Sequence, residues 1–201
     1  MAFKVINKTL LTCRFGSLPL RKTKAKDMFL KKSMDELERK TGEEMQHADK
    51  HPIIIILDDV RSMHNVGSAF RTCDAFAATT IYLCGYTPAP PHRDIHKTAL
   101  GATETVAWKH FATTMEAVDA ARQQGYKIYG VEQAHDSVAL QNLQWDKTTP
   151  IALVFGNEVA GVSDEVLAIA DGCIEIPQWG AKHSLNISVS LGVVLWEMVR
   201  S

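Results

Sequence analysis

The sequence predicts an α/β fold over residues 51–201, a mostly parallel sheet with helices on both faces. Three observations carry this. Continuous apolar runs, of which Ile53–Leu57 is the plainest, have the length and β-branched content of strands buried on both faces. Between such runs lie stretches with apolar residues at helical spacing, as at Val66, Ala69, Phe70, Cys73 and Ala77. The two kinds alternate without an internal repeat. Strand–helix–strand succession leads to a parallel sheet, because parallel neighbours need a crossover connection.

The elements follow in order. Residues 1–26 have no regular apolar pattern. Residues 27–40 are expected to be helical, with Ser33 and Glu36 at capping-box spacing and Met28, Leu30, Met34 and Leu37 on one face. Residues 41–51 are polar and read as a linker. Ile53–Leu57 is the first strand, residues 64–77 a helix, and Thr80–Leu83 a second strand. Pro88, Pro90 and Pro91 mark residues 84–103 as a long loop, and Glu104–Ala107 reads as a strand. A helix starts at Thr113 or Thr114, either of which can cap it, and stops at Gly125. Lys127–Val131, Ile151–Phe155 and Ile174–Ile176 read as strands. Ser163 caps a short helix to Ala170, and Ser184–Val199 is the last helix.

The net charge of −1 hides an asymmetry. Residues 1–50 hold 12 Lys/Arg against 7 Asp/Glu, and residues 51–201 hold 10 against 16. The first 26 residues carry seven cations and no acid. Such an arm suits a polyanion such as RNA, although charge alone does not separate that from a solvated tail. The arm has few serines and no cleavage site of a transit peptide, and Pro19 and its charges break any secretory signal. No apolar run reaches the ~18 residues of a membrane span. Cys13, Cys73, Cys84 and Cys173 form no C-x-x-C pair, so free thiols in a reducing cytoplasm are expected. His92 and His96 have helical metal-ligand spacing, but no third ligand accompanies them, and no metal is expected.

An open parallel sheet takes its ligand beyond the carboxyl ends of its strands. No G-x-G-x-x-G follows the first strand, and no G-x-x-x-x-G-K-[ST] occurs. The usual phosphate cradles of dinucleotides and nucleoside triphosphates are missing; a cofactor without phosphates, of which S-adenosylmethionine is one, needs none. Three segments stand out. Asn65 to Arg71 opens a helix in an N-x-G-x-x-x-R pattern, where Arg71 can lean back over vacant space at Gly67. Phe155-Gly156-Asn157-Glu158-Val159-Ala160-Gly161 follows a strand, with two glycines around a polar pair. Ile176-Pro177 ends a strand, and Ser184-Leu185-Asn186 then opens a helix lined by small Ser188, Ser190 and Gly192. Each segment has a plain structural reading: a packed helix, a turn, a capped helix.

In this order the three segments resemble the motifs of the TrmH/SpoU family of RNA ribose 2′-O-methyltransferases, within the SPOUT class, over roughly residues 52–199. The resemblance implies an α/β fold with a C-terminal deep trefoil knot, S-adenosylmethionine as cofactor, tRNA or rRNA as substrate, and a homodimer with its site near the subunit interface. It implies Asn65, Arg71, Glu158, Ser184 and Asn186 as catalytic or substrate-side residues. Val131, Phe155, Gly156, Asn157, Gly161, Ile176, Pro177 and Leu185 would hold the cofactor, mainly by backbone groups. It divides the chain into a basic arm and short helix (1–50) and a catalytic domain (51–201), in a cytoplasmic protein. Residues 1–50 do not resemble the RNA-binding domain that some members carry. A non-catalytic RNA-binding protein on the same fold is the alternative. A NAD-type oxidoreductase lacks its glycine fingerprint.

Overall fold

The computed structural model describes residues 29–33 and 35–200, and the basic stretch of residues 1–26 lies outside them. The chain divides into two units, residues 1–39 and 40–201. In the first, Ser33 and Glu36 make the expected reciprocal capping contacts, at 2.6 and 3.3 Å. The helix expected over 27–40 is not there in the described part, which holds only a 3-10 turn at Asp35–Leu37. Glu38 takes a positive φ of 45° and ends the turn at once.

The second unit is a seven-stranded, all-parallel sheet with helices on both faces. Its strands are β1 (His51–Asp58), β2 (Ala78–Cys84), β3 (Ala107–Phe111), β4 (Lys127–Val131), β5 (Val138–Ala139), β6 (Ile151–Phe155) and β7 (Gly172–Glu175). They lie in the order β3-β2-β1-β6-β4-β7-β5. β1 and β6 are central. Ile53 to Leu57 and Ile151 to Phe155 are buried throughout, as a strand covered on both faces requires.

Helices α2 (Met63–Ala75), α3 (Arg93–Ala99) and α7 (Ile187–Arg200) cover one face, joined by the short α1 (Gly42–Gln46) and α4 (Ala102–Thr105). Helices α5 (Thr114–Gln123) and α6 (Asp164–Ile169) cover the other. The segment expected to be a linker, 41–51, instead forms α1, capped by a Thr41–Glu44 box and held to α4 by Gln46 Nε2 on Glu104 O (2.8 Å). The expected loop at 84–103 contains α3 and most of its approach, and the strand expected at Glu104–Ala107 runs later, from Ala107 to Phe111. Here α4 occupies residues 102–105 and delays the strand.

Thr113, not Thr114, caps α5, accepting from Glu116 N (3.2 Å). The Thr114 hydroxyl instead donates to the buried Asp58 carboxylate, whose other oxygen accepts from Ser163 N at 2.9 Å. The side chain of Ser163 makes no capping bond of its own. One buried carboxylate at the end of β1 therefore anchors the starts of α5 and α6. Among the described residues, no helix is long and apolar enough to cross a membrane.

Candidate active site

Three strand ends and the loops after them enclose a cavity of about 490 Å³. Val131 ends β4, Phe155 ends β6, and Ile176 follows β7. This is the carboxyl edge of the sheet, where open α/β folds bind ligands. The loop after β6 supplies Gly156, Asn157, Glu158, Val159, Ala160 and Gly161. The segment entering α7 supplies Gln178, His183, Ser184, Leu185 and Asn186, and the helix adds Ile187 and Ser190. Glu132 and Gln133 close the wall beside β4.

The β6 loop is folded tightly on itself. Asn157 and Gly161 bond to each other through both backbone groups, at 3.1 Å each. The Asn157 side-chain oxygen accepts from Val159 N and Ala160 N, at 2.9 and 2.8 Å, so it shapes the turn. A Cβ at Gly156 would lie 1.8 Å from the Gly161 carbonyl carbon, so only glycine lets the two arms of the loop approach this closely. Glu132 locks the loop from the side, with one carboxylate oxygen on Val162 N (3.1 Å) and the other on Gln133 N (2.8 Å). Gln133 Nε2 then donates to His183 O at 2.7 Å and ties down the segment before α7.

Asn65 joins this cavity to α2. Its amide nitrogen donates to Glu158 Oε1 at 2.8 Å, and its amide oxygen accepts from Asn186 Nδ2 at 3.2 Å. A carboxylate can only accept, so the orientation of the Asn65 amide follows from Glu158. Asn186 has a second task. Its side-chain oxygen accepts from Ser188 N (2.9 Å) and Ser188 Oγ (2.6 Å), which makes it the cap of α7. The sequence reading started this helix at Ser184 and placed Asn186 inside it. The helix starts at Ile187, and an asparagine just before a helix is an ordinary cap.

Eleven of the thirteen residues implied by the motifs meet here. Ten line the cavity, and Asn65 reaches it through Glu158 and Asn186. Pro177 lies in the connecting segment but off the cavity wall, and so does Arg71. Arg71 is exposed on α2, and its side chain has no hydrogen bond or ion pair among the described residues. The vacant space expected over Gly67 does not exist. A Cβ there would lie 2.4 Å from Ile95 O and 2.0 Å from Thr98 Oγ1, because α3 packs directly on that glycine. That room is therefore not open to Arg71.

Val159, Ala160, Ile187 and Ser190, which lie inside the motif segments, also line the cavity, and so do Gln178 and His183, which the sequence did not single out. Each flanks a motif residue by a few positions, and adjacency was the available signal. Trp179 is 92% exposed and off the wall. Trp196 is 58% exposed, edge-on to Phe76. Trp145 packs on the core and donates to Thr149 O at 2.7 Å. His92 caps α3, accepting from Asp94 N at 3.2 Å.

The wall carries two carboxylates, Glu132 and Glu158, and no lysine or arginine. Its other polar groups are amides, a histidine, serines and loop backbone. Such a lining repels phosphates and suits a ligand with net positive charge.

Comparisons with known proteins identify relatives of this chain. The sequence pattern of the SpoU rRNA Methylase family matches residues 52–196. The tRNA (guanosine(18)-2'-O)-methyltransferase of Thermus thermophilus is 32% identical over 165 residues, 82% of this chain and 83% of that protein. The 23S rRNA (guanosine-2'-O-)-methyltransferase RlmB of Haemophilus influenzae is 33% identical over 82% of this chain and 66% of its own length. Among solved structures, the A. aeolicus TrmH/SpoU tRNA modifying enzyme superposes with a TM-score of 0.70 at 29% identity, covering 79% of each chain. An AdoMet-bound rRNA methyltransferase from Sinorhizobium meliloti gives 0.70 at 28% identity, over 78% of this chain and 59% of that one. A family pattern that spans residues 52–196 and a relative 32% identical over 82% of this chain place it: the chain belongs to the SpoU rRNA methylase family.

Proposed function

We propose that this chain transfers a methyl group from S-adenosylmethionine to a ribose 2′-hydroxyl of tRNA or rRNA. One observation carries the reading: a cavity with two carboxylates and no cation is joined through Asn65 to the helix that bears Arg71. When bound, S-adenosylmethionine supplies a methyl group on a positively charged sulfur. The cavity fits it in size, within the ~300–1,000 Å³ usual for small-molecule sites. It fits in charge as well, through Glu132 and Glu158. Loop backbone at Val131, Phe155, Gly156, Asn157, Gly161, Ile176 and Leu185 would hold the ligand, with Pro177 shaping the turn behind it.

The reaction forms a bond from the ribose oxygen to the methyl carbon, breaks that carbon's bond to sulfur and releases the hydroxyl proton. The residues must align oxygen, carbon and sulfur. Asn65 and Asn186, held in one chain with Glu158, orient the ribose, and Ser184 shapes the rim. A guanidinium with a pKa above about 12 is a poor base. Arg71 accordingly clamps a phosphate and stabilises developing alkoxide charge, and a phosphate oxygen or water takes the proton.

A homodimer supplies what one chain lacks. Leu185, Val189, Val193 and Trp196 form an exposed apolar stripe at helical spacing on α7 and its entry. The stripe borders both the cavity and α2. A second copy docked there closes a site from which Arg71 stands apart in the single chain. Family membership also supports a deep trefoil knot in the C-terminal segments, a catalytic domain over 51–201, a basic RNA-contacting arm over 1–50, and action in the cytoplasm. The non-catalytic alternative loses support because every motif residue that catalysis needs is present.

The test is labelled-methyl transfer from S-adenosylmethionine to bulk tRNA and rRNA. The wild-type chain incorporates label, while Arg71→Ala incorporates none and still binds the cofactor. Near-normal turnover by Arg71→Ala would remove that residue from the mechanism, and no transfer by the wild type would remove the function.

A further inference from the structure

We propose that the outer faces of α2 and α3 form a track for the phosphodiester backbone of the RNA on either side of the target nucleotide. This rests on the methyltransferase reading and says where the substrate lies. Arg61 stands just before the Ser62 cap of α2, within four residues of Asn65. His64 and Arg71 follow on the exposed face of that helix, seven positions or two turns apart. On α3, Arg93, His96 and Lys97 are all exposed, at the three- and four-residue spacing of one helix face.

The two helices are packed side by side on the same face of the sheet. Their contact is close at Gly67, and Thr98 Oγ1 donates to His64 O at 3.2 Å. Their outer faces therefore look the same way, and the Asn65 bridge sits at one end. Two carboxylates lie on these helices, Asp74 and Asp94, both only half-exposed, and Asp74 accepts from Thr105 Oγ1 at 2.5 Å.

The cations here are also unspent. Arg61, Arg71, Arg93 and Lys97 make no ion pair or side-chain hydrogen bond among the described residues. Several other cations are used on the protein itself, while Lys127 and Lys182 are not. Lys50 bonds Thr105 O, Lys147 bonds Val199 O, Lys109 lies over the Phe111 ring, and Arg122 and Arg200 bond Ile169 O and Glu197. Residues 51–201 carry 10 Lys/Arg against 16 Asp/Glu; six of these cations have no side-chain partner among the described residues, and four of the six lie on or just before α2 and α3. Regularly spaced free cations on an otherwise acidic body suit a linear polyanion, and folding does not require them.

The experiment compares wild type with R93Q/K97Q in steady-state methyl transfer to RNA across a salt series. The double variant raises KM for RNA about tenfold, with kcat within twofold and unchanged cofactor binding. Its log KM against log salt plot is shallower by about 1.4–1.8, the loss of two phosphate contacts. R93K/K97R, which keeps the charge, restores KM. R61Q, outside any helix, repeats the test where no helix can be disturbed and flattens the slope by about 0.7–0.9. An unchanged KM and salt slope in R93Q/K97Q and R61Q would overturn the track while leaving the methyltransferase standing. No transfer by the wild type would overturn the function on which the track rests.

Discussion

Asn65 and Asn186 show how much one side chain can be asked to do. Asn186 caps α7 with its oxygen and holds Asn65 with its nitrogen. The two tasks separate by substitution. Asp keeps the capping oxygen and loses the donor, so Asn186→Asp leaves the melting temperature within about 2 °C of wild type and lowers kcat by about 10²-fold. Asn186→Ala loses both, and its melting temperature falls as well, by the roughly 1 kcal/mol of a lost cap. Equal stability losses in the two variants would contradict the cap. The cysteines answer to burial. Cys84 is pushed up to about 12, first by burial, and burial also drives Cys73 up. At pH 8 both stay protonated, so neither reacts with a thiol reagent until the protein is unfolded, which peptide mapping after labelling reads directly.

At the scale of elements, α3 packs closely on α2 at Gly67, where the Ile95 carbonyl and the Thr98 hydroxyl fill the room a side chain would need. Gly67→Ala places a methyl against the Ile95 carbonyl, a backbone atom that cannot swing away. It destabilises by about 2–3 kcal/mol and lowers the melting temperature by roughly 5–10 °C, measured calorimetrically. An unchanged melting temperature would mean the helices are not packed this way. The same contact shows where sequence reading stopped. Strands β1 and β6 were legible because a strand buried on both faces is an uninterrupted apolar run. Helix α2 was legible from its apolar spacing, and α5 from its threonine cap and the stop at Gly125. Helices α1, α3 and α4 were not, because 4–7 residues hold too little apolar pattern, and polar α3 owes its place to Gly67 and Ile95. The 27–40 segment failed oppositely: its capping box is real, and no buried face rewards extending the turn. Of the candidate site, the three motif segments were readable as residues. Their meeting through Asn65 was not, since that hydrogen bond spans 93 positions to Glu158 and 121 to Asn186.

For the whole molecule, the sheet gathers the strand ends and the helical layer presents α2, α3 and α7 around them. The apolar stripe on α7 predicts a second copy. Val193→Asp with Trp196→Asp turns a dimer into a monomer by light scattering and lowers methyl transfer at least about tenfold, with the fold retained by circular dichroism. A wild-type chain that is monomeric and fully active would remove the dimer from the mechanism. The central claim is that the methyl group goes to a ribose oxygen, and the chemistry of the product tests it most directly. RNA methylated by the wild-type chain is hydrolysed in alkali, where a ribose lacking its free 2′-hydroxyl cannot cleave the adjoining phosphodiester. Label recovered in alkali-resistant dinucleotides, and in 2′-O-methylnucleosides after full digestion, is the predicted result. Label recovered only on a base, or none in RNA, would contradict the account.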